Sequence, residues 1–211
     1  MTCFDTAFTR CPLIAILRGI QPHEVLDIGR VLVDTGFTII EVPLNSPAPY
    51  QSIALLQDTF GDRVLVGAGT VTSPEAVGEV ARHGGRLVVM PHADLAVITE
   101  ARKRGMICTP GVATPTEGFA ALNAGADALK LFPAEQLGTK ALRAWKSVFP
   151  SRTRFIPVGG IVPENMQSYL DAGAAGFGLG SALYRTGYSA RDVGHAAERF
   201  MKALPQNLHT V

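Results

Sequence analysis

The chain has 211 residues, of which 47% are hydrophobic and 18% charged, which suffices for one buried core and is short for two domains. With 19 basic and 18 acidic side chains, the formal net charge is +1, so no protein-wide field draws the chain to nucleic acid or an anionic membrane. The sequence contains no apolar run of the roughly 20 residues that a membrane span needs, and its first ten residues lack the pattern of a signal peptide. We therefore expect neither nucleic acid nor a membrane as a partner.

Eight short, strongly apolar runs recur along the chain, and their starts are 19 to 26 residues apart. Such runs, bounded by turn residues, predict buried β-strands. They are LIAILRG (13–19), TIIEVPL (38–44), VLVGAGT (64–70), LVVMP (87–91), MICTPGV (106–112), ALKLFP (128–133), RFIPVGG (154–160) and GFGLGS (176–181).

Between these runs, apolar residues recur at helical spacing. The inward stripe predicted within residues 23–36 consists of Val25, Leu26, Ile28, Gly29, Leu32 and Val33. Three later helices have Pro close to the start and Gly at the end, and they are predicted over 74–84, 115–125 and 163–173. The sequence thus alternates strand and helix eight times.

Near-continuous apolar strands favour a parallel sheet covered by helices. Eight regular units favour closure, and the turn after the first strand reads RGIQPHE instead of the G-x-G-x-x-G of many doubly wound sheets. We therefore predict one α/β domain over residues 1–211, a (β/α)8 TIM barrel with a short N-terminal extension at residues 1–11. Functional groups are expected at the C-terminal ends of its strands.

The run ALKLFP places a lysine inside the predicted barrel. The two-residue period of a strand puts Leu129 and Leu131 on the face toward the helices, so Lys130 faces inward. The same period in TIIEVPL turns Glu41 inward, and alternate strands contribute to the same interior layer. The pair is interpreted either as a buried ion pair that fixes the layer or as a catalytic unit. In the second case Lys130 is the nucleophile for a ketone and Glu41 the general acid/base.

Two glycine-rich turns follow the last two predicted strands, where barrels commonly bind phosphate. Gly159, Gly160 and Gly180 allow backbone N–H groups to approach an anion, and Ser181 adds a hydroxyl at an expected helix start. The alternative is that these glycines only relieve crowding at strand ends.

Two polar residues end other predicted strands. Arg18 ends the first, beside the eighth strand of a closed barrel, and is a candidate to neutralise a substrate phosphate or carboxylate. Thr70 ends VGAGT and could donate to a substrate carboxylate or keto oxygen. A surface arginine and an ordinary strand-end threonine are the alternatives.

Other reactive residue types form no recognisable site. The five histidines, at positions 23, 83, 92, 195 and 209, lack metal-ligand spacing, so no metal and no cofactor are expected. We interpret His92 as a solvated loop residue and Trp145 as a core or subunit-interface residue. An odd number of cysteines without C-x-x-C spacing favours a reducing, cytoplasmic setting.

The motifs LIAILRGI, EVPLNSP, VGAGTV, CTPGVATPTE, LKLFPAE, PVGGI and GLGSALYR resemble those of the 2-keto-3-deoxy-6-phosphosugar-acid (KDPG/KHG) aldolases. They extend from residue 13 to about 186. The resemblance implies a homotrimer of (β/α)8 barrels, with Lys130 forming a Schiff base and Glu41 in the matching strand-2 glutamate position. It also implies a phosphorylated 2-keto-3-deoxy sugar acid as substrate, with pyruvate and glyceraldehyde 3-phosphate as products.

Two positions depart from the phosphogluconate branch of that family. Asn45 stands where that branch has an arginine that binds the substrate carboxylate, and Val158 stands where it has a threonine near the C4 hydroxyl. The resemblance therefore favours the C4 epimer, a phosphogalactonate, and leaves carboxylate binding to Arg18, Thr70 or backbone donors. The phosphogluconate epimer, a broader set of 2-keto acids, and a phosphate-binding isomerase or sugar-phosphate sensor are the alternatives.

Overall fold

Helices and strands alternate along residues 3–205, the part of the chain that this computed structural model describes, except that two strands follow each other within residues 107–112. The strands are β1 (Leu13–Ile16), β2 (Ile39–Pro43), β3 (Leu65–Gly69), β4 (Leu87–Val89), β5 (Ile107–Thr109), β6 (Gly111–Val112), β7 (Leu129–Leu131), β8 (Phe155–Pro157) and β9 (Phe177–Leu179). The helices are α1 (Phe4–Arg10), α2 (Val25–Thr35), α3 (Pro49–Phe60), α4 (Pro74–Arg82), α5 (Leu95–Lys103), α6 (Pro115–Asn123), α7 (Ala134–Val148), α8 (Pro163–Asp171) and α9 (Ala190–Ala203).

The strands form parallel sheets, as the sequence predicts. One curled sheet has the order β5-β4-β3-β2-β1-β9, and a second has the order β6-β7-β8. Val158, directly after β8, forms an isolated parallel bridge with Gly178 of β9. The α/β class and the parallel arrangement are thereby confirmed.

The fifth predicted run contains two strands instead of one. β5 pairs with β4, and β6 pairs with β7. Pro110 separates them, and it has no N–H group with which to continue a ladder. Its carbonyl oxygen accepts a hydrogen bond from Lys130 N at 2.9 Å, so the chain passes from one sheet to the other at this residue.

Alternate strand residues face two different buried clusters, which confirms the predicted side-chain period. Ile40 and Val42 of β2 pack among the helices, whereas Ile39 packs on the inner side of the strands. In β7, Leu129 and Leu131 also pack among the helices. Lys130 and Glu41, which alternate with these residues, are therefore on the inner side.

The helices begin where the sequence places their caps. Ser73 Oγ accepts a hydrogen bond from Ala76 N at the start of α4. Thr114 and Glu117 form a reciprocal capping box at the start of α6, which satisfies N–H groups that the helix leaves unpaired. In α2 the predicted stripe is confirmed, with four of its residues buried and two partly buried against the core, namely Val25, Ile28, Gly29, Leu32, Leu26 and Val33.

The predicted N-terminal extension contains a helix that the sequence patterns did not indicate. In α1, Phe4, Ala7 and Phe8 occupy one helical face and are buried. They pack in the inner cluster together with Ile14 and Leu65. This helix therefore covers one end of the strand interior, and residues 1–2 lie outside the described part of the chain.

Candidate active site

A cavity of about 450 Å³ lies at the C-terminal ends of β1, β7, β8 and β9. Seven of the residues predicted from the sequence line it, namely Arg18, Lys130, Val158, Gly159, Gly160, Gly180 and Ser181. Sequence reasoning missed eight others, namely Ile16, Phe132, Ile161, Val162, Gly178, Ala182, Tyr184 and Arg185. Sequence signals existed for four of these eight residues. The strand period that placed Lys130 inward also places Phe132 inward, and Ala182, Tyr184 and Arg185 follow Gly180 within the motif GLGSALYR.

Lys130 reaches the cavity from the middle of β7. The residue is only 6% exposed, and its Nζ lies 4.4 Å from the centre of the Phe132 ring. Desolvation by burial is the largest effect on the Lys130 amine and lowers its pKa, the negative charge of Glu41 raises it, and the positive charge of Arg18 lowers it again. The net result is a pKa below the ordinary value, which favours the neutral, nucleophilic amine.

Glu41 lies on the inner side of β2 and is 2% exposed. Its Oε2 has no hydrogen-bond partner among residues 3–205. Burial raises the pKa of Glu41 to about 7, against the opposing fields of Lys130 and Arg18. A carboxyl group with such a pKa can both accept and donate a proton near neutrality.

The space for the Glu41 carboxylate depends on Gly69 at the end of β3. A Cβ atom built on Gly69 would lie 1.6 Å from Oε2 of Glu41. Any side chain at position 69 would therefore displace the carboxylate of Glu41. Gly69 occupies this place because β3 pairs with β2, with Gly69 opposite Pro43. Gly69 therefore provides the space that the carboxylate of Glu41 occupies.

Arg18 is held at the mouth of the cavity by two polar residues. Its Nη1 donates to Asn45 Oδ1 at 2.6 Å, and both terminal nitrogens lie 3.5 Å from Thr70 Oγ1. Thr70 has a φ of 56°, a left-handed conformation that costs a non-glycine residue about 1–3 kcal/mol and is typical of functional sites. β1 pairs with β9 as expected, but the side-chain hydrogen bonds of Arg18 are directed toward the ends of β2 and β3.

The turns after β8 and β9 line the same cavity. Gly159 and Gly160 have φ values of 103° and 65°, a region that side chains disfavour. Open space surrounds the position of a Cβ atom at Gly180, so a ligand can approach that backbone closely. The expected helix start at Ser181 is wrong, because residues 181–183 form a single turn and α9 begins only at Ala190. Leu183 N donates to Gly180 O, which closes this turn.

Tyr184 connects the turn after β9 to the start of α2. Its hydroxyl donates to Glu24 Oε1 at 3.0 Å, and Gln21 N donates to the same oxygen at 3.0 Å. Tyr184 is 2% exposed. Because Glu24 and Tyr184 are 160 residues apart in sequence, no local sequence signal indicates this contact.

The remaining candidates do not form a second site. His92 is exposed, as interpreted from the sequence, while Trp145 is buried and packs against Phe149 and Phe155. Within residues 3–205 no cluster of three or more potential ligands could hold a metal ion, and His209 lies outside that range. None of the helices in the described range has the length and apolar character needed to cross a membrane.

The chain is similar to proteins of known activity. It is 49% identical over 195 residues to 2-dehydro-3-deoxy-6-phosphogalactonate aldolase from Escherichia coli, which covers 92% of this chain and 95% of that protein. A solved structure described as native KDPGal superimposes with a TM-score of 0.91 and 48% identity over 92% of this chain and 94% of the other. KDPG aldolase from Legionella pneumophila, solved with pyruvate as a covalent carbinolamine intermediate, gives a TM-score of 0.82 with 28% identity, and 96% of each chain is covered.

Together with these relatives, the parallel α/β fold and the buried amine beside a buried acid define an aldolase, a lyase that breaks a carbon–carbon bond. More particularly, the chain belongs to the KDPG and KHG aldolase family, whose model matches residues 4–196. The resemblance seen in the sequence motifs is therefore confirmed. The aldolase interpretation of the cavity is therefore favoured over the two alternatives, an isomerase and a sugar-phosphate sensor.

Proposed function

We propose that this protein is a class I aldolase that cleaves 2-dehydro-3-deoxy-6-phospho-D-galactonate to pyruvate and D-glyceraldehyde 3-phosphate, as a step of galactonate catabolism. The observation that carries the proposal is the desolvated amine of Lys130 in a cavity beside the carboxyl group of Glu41. The similarity to the Escherichia coli phosphogalactonate aldolase supports the choice of substrate.

The reaction begins with the attack of Lys130 on the C2 ketone. The neutral amine adds to the carbonyl carbon, and loss of water from the carbinolamine gives a protonated Schiff base. The carbinolamine of the Legionella relative supports this step. The lowered pKa of Lys130 makes the neutral amine available, and the positive Schiff base then withdraws electrons from the C3–C4 bond.

Glu41 carries the protons of the cycle. Directly or through one water, it accepts the proton of the C4 hydroxyl while the C3–C4 bond breaks, which releases the aldehyde and leaves an enamine on Lys130. Protonation of the enamine at C3 and hydrolysis of the Schiff base then release pyruvate and restore the amine. The pKa of about 7 suits Glu41 to both proton transfers.

The carboxylate of the substrate binds beside Lys130. Arg18 supplies a positive charge there, and Asn45 and Thr70 hold its guanidinium in place. Thr70 also offers its hydroxyl to the carboxylate or the keto oxygen. In this proposal Arg18 supplies the positive charge for the carboxylate. In the phosphogluconate branch, an arginine at the position of Asn45 binds that carboxylate.

The phosphate binds at the turns after β8 and β9. Gly159, Gly160, Gly180 and Ser181 line the cavity, and their backbone N–H groups and the Ser181 hydroxyl are the donors to the phosphate in this proposal. Val158, the residue before Gly159, lines the same cavity as Lys130. In this proposal its apolar side chain contacts the substrate near C4.

We further propose that the two sheets close into one (β/α)8 barrel, which forms the single domain of residues 1–211. Support comes from the bridge between Val158 and Gly178 and from the segment 107–112, which contributes a strand to each sheet. Residues 206–211 lie outside the described part of the chain.

The family resemblance supports a homotrimer, and the exposed apolar side chains of Leu95, Phe119 and Val148 are candidates for contact surfaces. Cys3, Cys11 and Cys108 form no disulfide, which agrees with a reducing cytoplasm. Light scattering of the purified protein tests the oligomeric state directly.

The central test is pyruvate release from 6-phosphorylated 2-keto-3-deoxygalactonate, coupled to lactate dehydrogenase. Lys130→Met should abolish it, and borohydride added with pyruvate should fix a three-carbon adduct on Lys130 of the wild-type protein. An adduct on another residue, or none, would refute the mechanism.

The substrate assignment is tested with the two C4 epimers side by side. We expect a higher kcat/KM for the galactonate epimer, and Val158→Thr should move the ratio toward the gluconate epimer. Equal rates with both epimers would refute the selectivity and leave the Schiff-base mechanism intact.

A further inference from the structure

Arg185 lies at the junction of two cavities. It lines the cavity that contains Lys130, Gly180 and Ser181. It also lines an adjoining cavity of about 230 Å³, which includes Ser181 and Arg199. A guanidinium at this junction can reach a ligand at the glycine-rich end of the substrate cavity.

The side chain of Arg185 is fixed by one hydrogen bond and keeps its other donors available. Its Nε donates to Ser181 O at 2.7 Å, which places the guanidinium beside the turn after β9. Among residues 3–205 it has no acidic partner, whereas the neighbouring Arg199 is paired with Glu164 at 2.7 Å. The two terminal nitrogens of Arg185 are thus suited to a bidentate contact with an external anion.

A second arginine already serves the other end of the cavity. The charged groups that shift the pKa of Lys130 within the described range are Glu41 and Arg18. Arg18 therefore lies near the amine, where the substrate carboxylate binds. Arg185, which follows the turn of Gly180 and Ser181, is left for an anion at the opposite end of the substrate.

We propose that Arg185 is a specificity-determining residue that binds the substrate phosphate and makes the enzyme select phosphorylated over unphosphorylated sugar acids. This inference rests on the proposed function, since it concerns the same cavity. Backbone N–H groups of the glycine turns orient the phosphate, and the Arg185 guanidinium neutralises one of its two charges with a pair of N–H···O bonds.

The test compares phosphorylated and unphosphorylated substrate in the Arg185→Gln variant. A hydrogen bond to a charged group contributes about 1.5–3 kcal/mol, so KM for the phosphorylated substrate should rise about 10- to 100-fold. The kcat/KM for unphosphorylated 2-keto-3-deoxygalactonate should stay within about twofold of wild type. Arg185→Lys, which keeps the charge but loses the planar fork, should give an intermediate KM.

Arg199→Gln is the matched control, because Arg199 lines the adjoining cavity and is not among the described residues that line the cavity with Lys130. Its KM for the phosphorylated substrate should equal that of wild type. A rise in KM for both substrates in Arg185→Gln would mean that Arg185 only supports the Ser181 turn, and an unchanged KM would mean that it does not bind the phosphate. Either result overturns the inference.

Calorimetric titration with D-glyceraldehyde 3-phosphate separates the inference from the proposed function, because this binding requires no cleavage. A weaker affinity in Arg185→Gln than in wild type supports the phosphate site even if neither protein releases pyruvate. Equal affinities overturn the site even if cleavage occurs.

Discussion

Gly69→Ala should impair catalysis by moving Glu41. The added Cβ would lie 1.6 Å from Oε2 and 2.3 Å from Cδ of Glu41, where contacts under 3.0 Å essentially never occur. The carboxylate must therefore shift by about 1.4 Å, the difference between 3.0 and 1.6 Å. A misplacement of about 1 Å can cost about 100-fold in rate, which corresponds to about 2.7 kcal/mol of transition-state stabilisation. We expect kcat to fall by at least that factor.

The assay is steady-state pyruvate release, with thermal unfolding measured on the same samples. Lys130 should still be trapped by borohydride with pyruvate, because the substitution does not touch the amine. Gly29→Ala is the control. Its Cβ would lie 2.7 Å from Leu56 Cδ2, between α2 and α3, and neither residue lines the cavity, so it should lower Tm through overpacking without changing kcat. If Gly69→Ala keeps the wild-type kcat, the role of Glu41 in proton transfer is wrong.

Three further predictions concern Glu41, Tyr184 and Asn45. Burial raises the pKa of Glu41 from 4.5 to about 7, so the folded protein holds the Glu41 proton more tightly than the unfolded chain does. The free energy of unfolding therefore contains about 3 kcal/mol that is present below pH 4.5 and lost as the pH rises through 7. Urea unfolding of Glu41→Gln should lack this loss, and parallel pH profiles of the two proteins would contradict it. Tyr184→Phe removes the hydrogen bond to Glu24 and should lower the unfolding free energy by about 1–3 kcal/mol; an unchanged urea midpoint would show that the bond contributes nothing. Asn45→Asp places a carboxylate against Arg18 and should raise KM for pyruvate in the aldol direction about tenfold, a result that a wild-type KM would disprove.

The sequence identified the strands and the inward lysine because these depend on local periods. Alternation of apolar residues around Lys130 determines which face of β7 it occupies, since neighbouring strand residues must point to opposite sides. Caps such as Thr114 with Glu117 likewise act within one helical turn. For the same reason the parallel α/β class followed from the sequence alone.

Other features depended on contacts between residues far apart in the chain. The division of the fifth run at Pro110 depends on which neighbouring strand each half pairs with. The position of α1 depends on its packing against residues of the strands, such as Ile14 and Leu65. The missed part of the site, Tyr184 and Arg185, directly follows a turn at residues 181–183, where the sequence suggested the start of a helix. Such choices are made by packing, which no local pattern encodes.

The chemistry of the site combines both kinds of information. Residue types and strand periods were enough to place Lys130 and Glu41 on the inner side. Only the tertiary structure decided that Gly69 makes room for the carboxylate, that Asn45 and Thr70 hold Arg18, and that burial brings the pKa of Glu41 to about 7. The physical reason is that desolvation and steric room are properties of the three-dimensional surroundings of a group, while side-chain direction along a strand is a property of the chain itself.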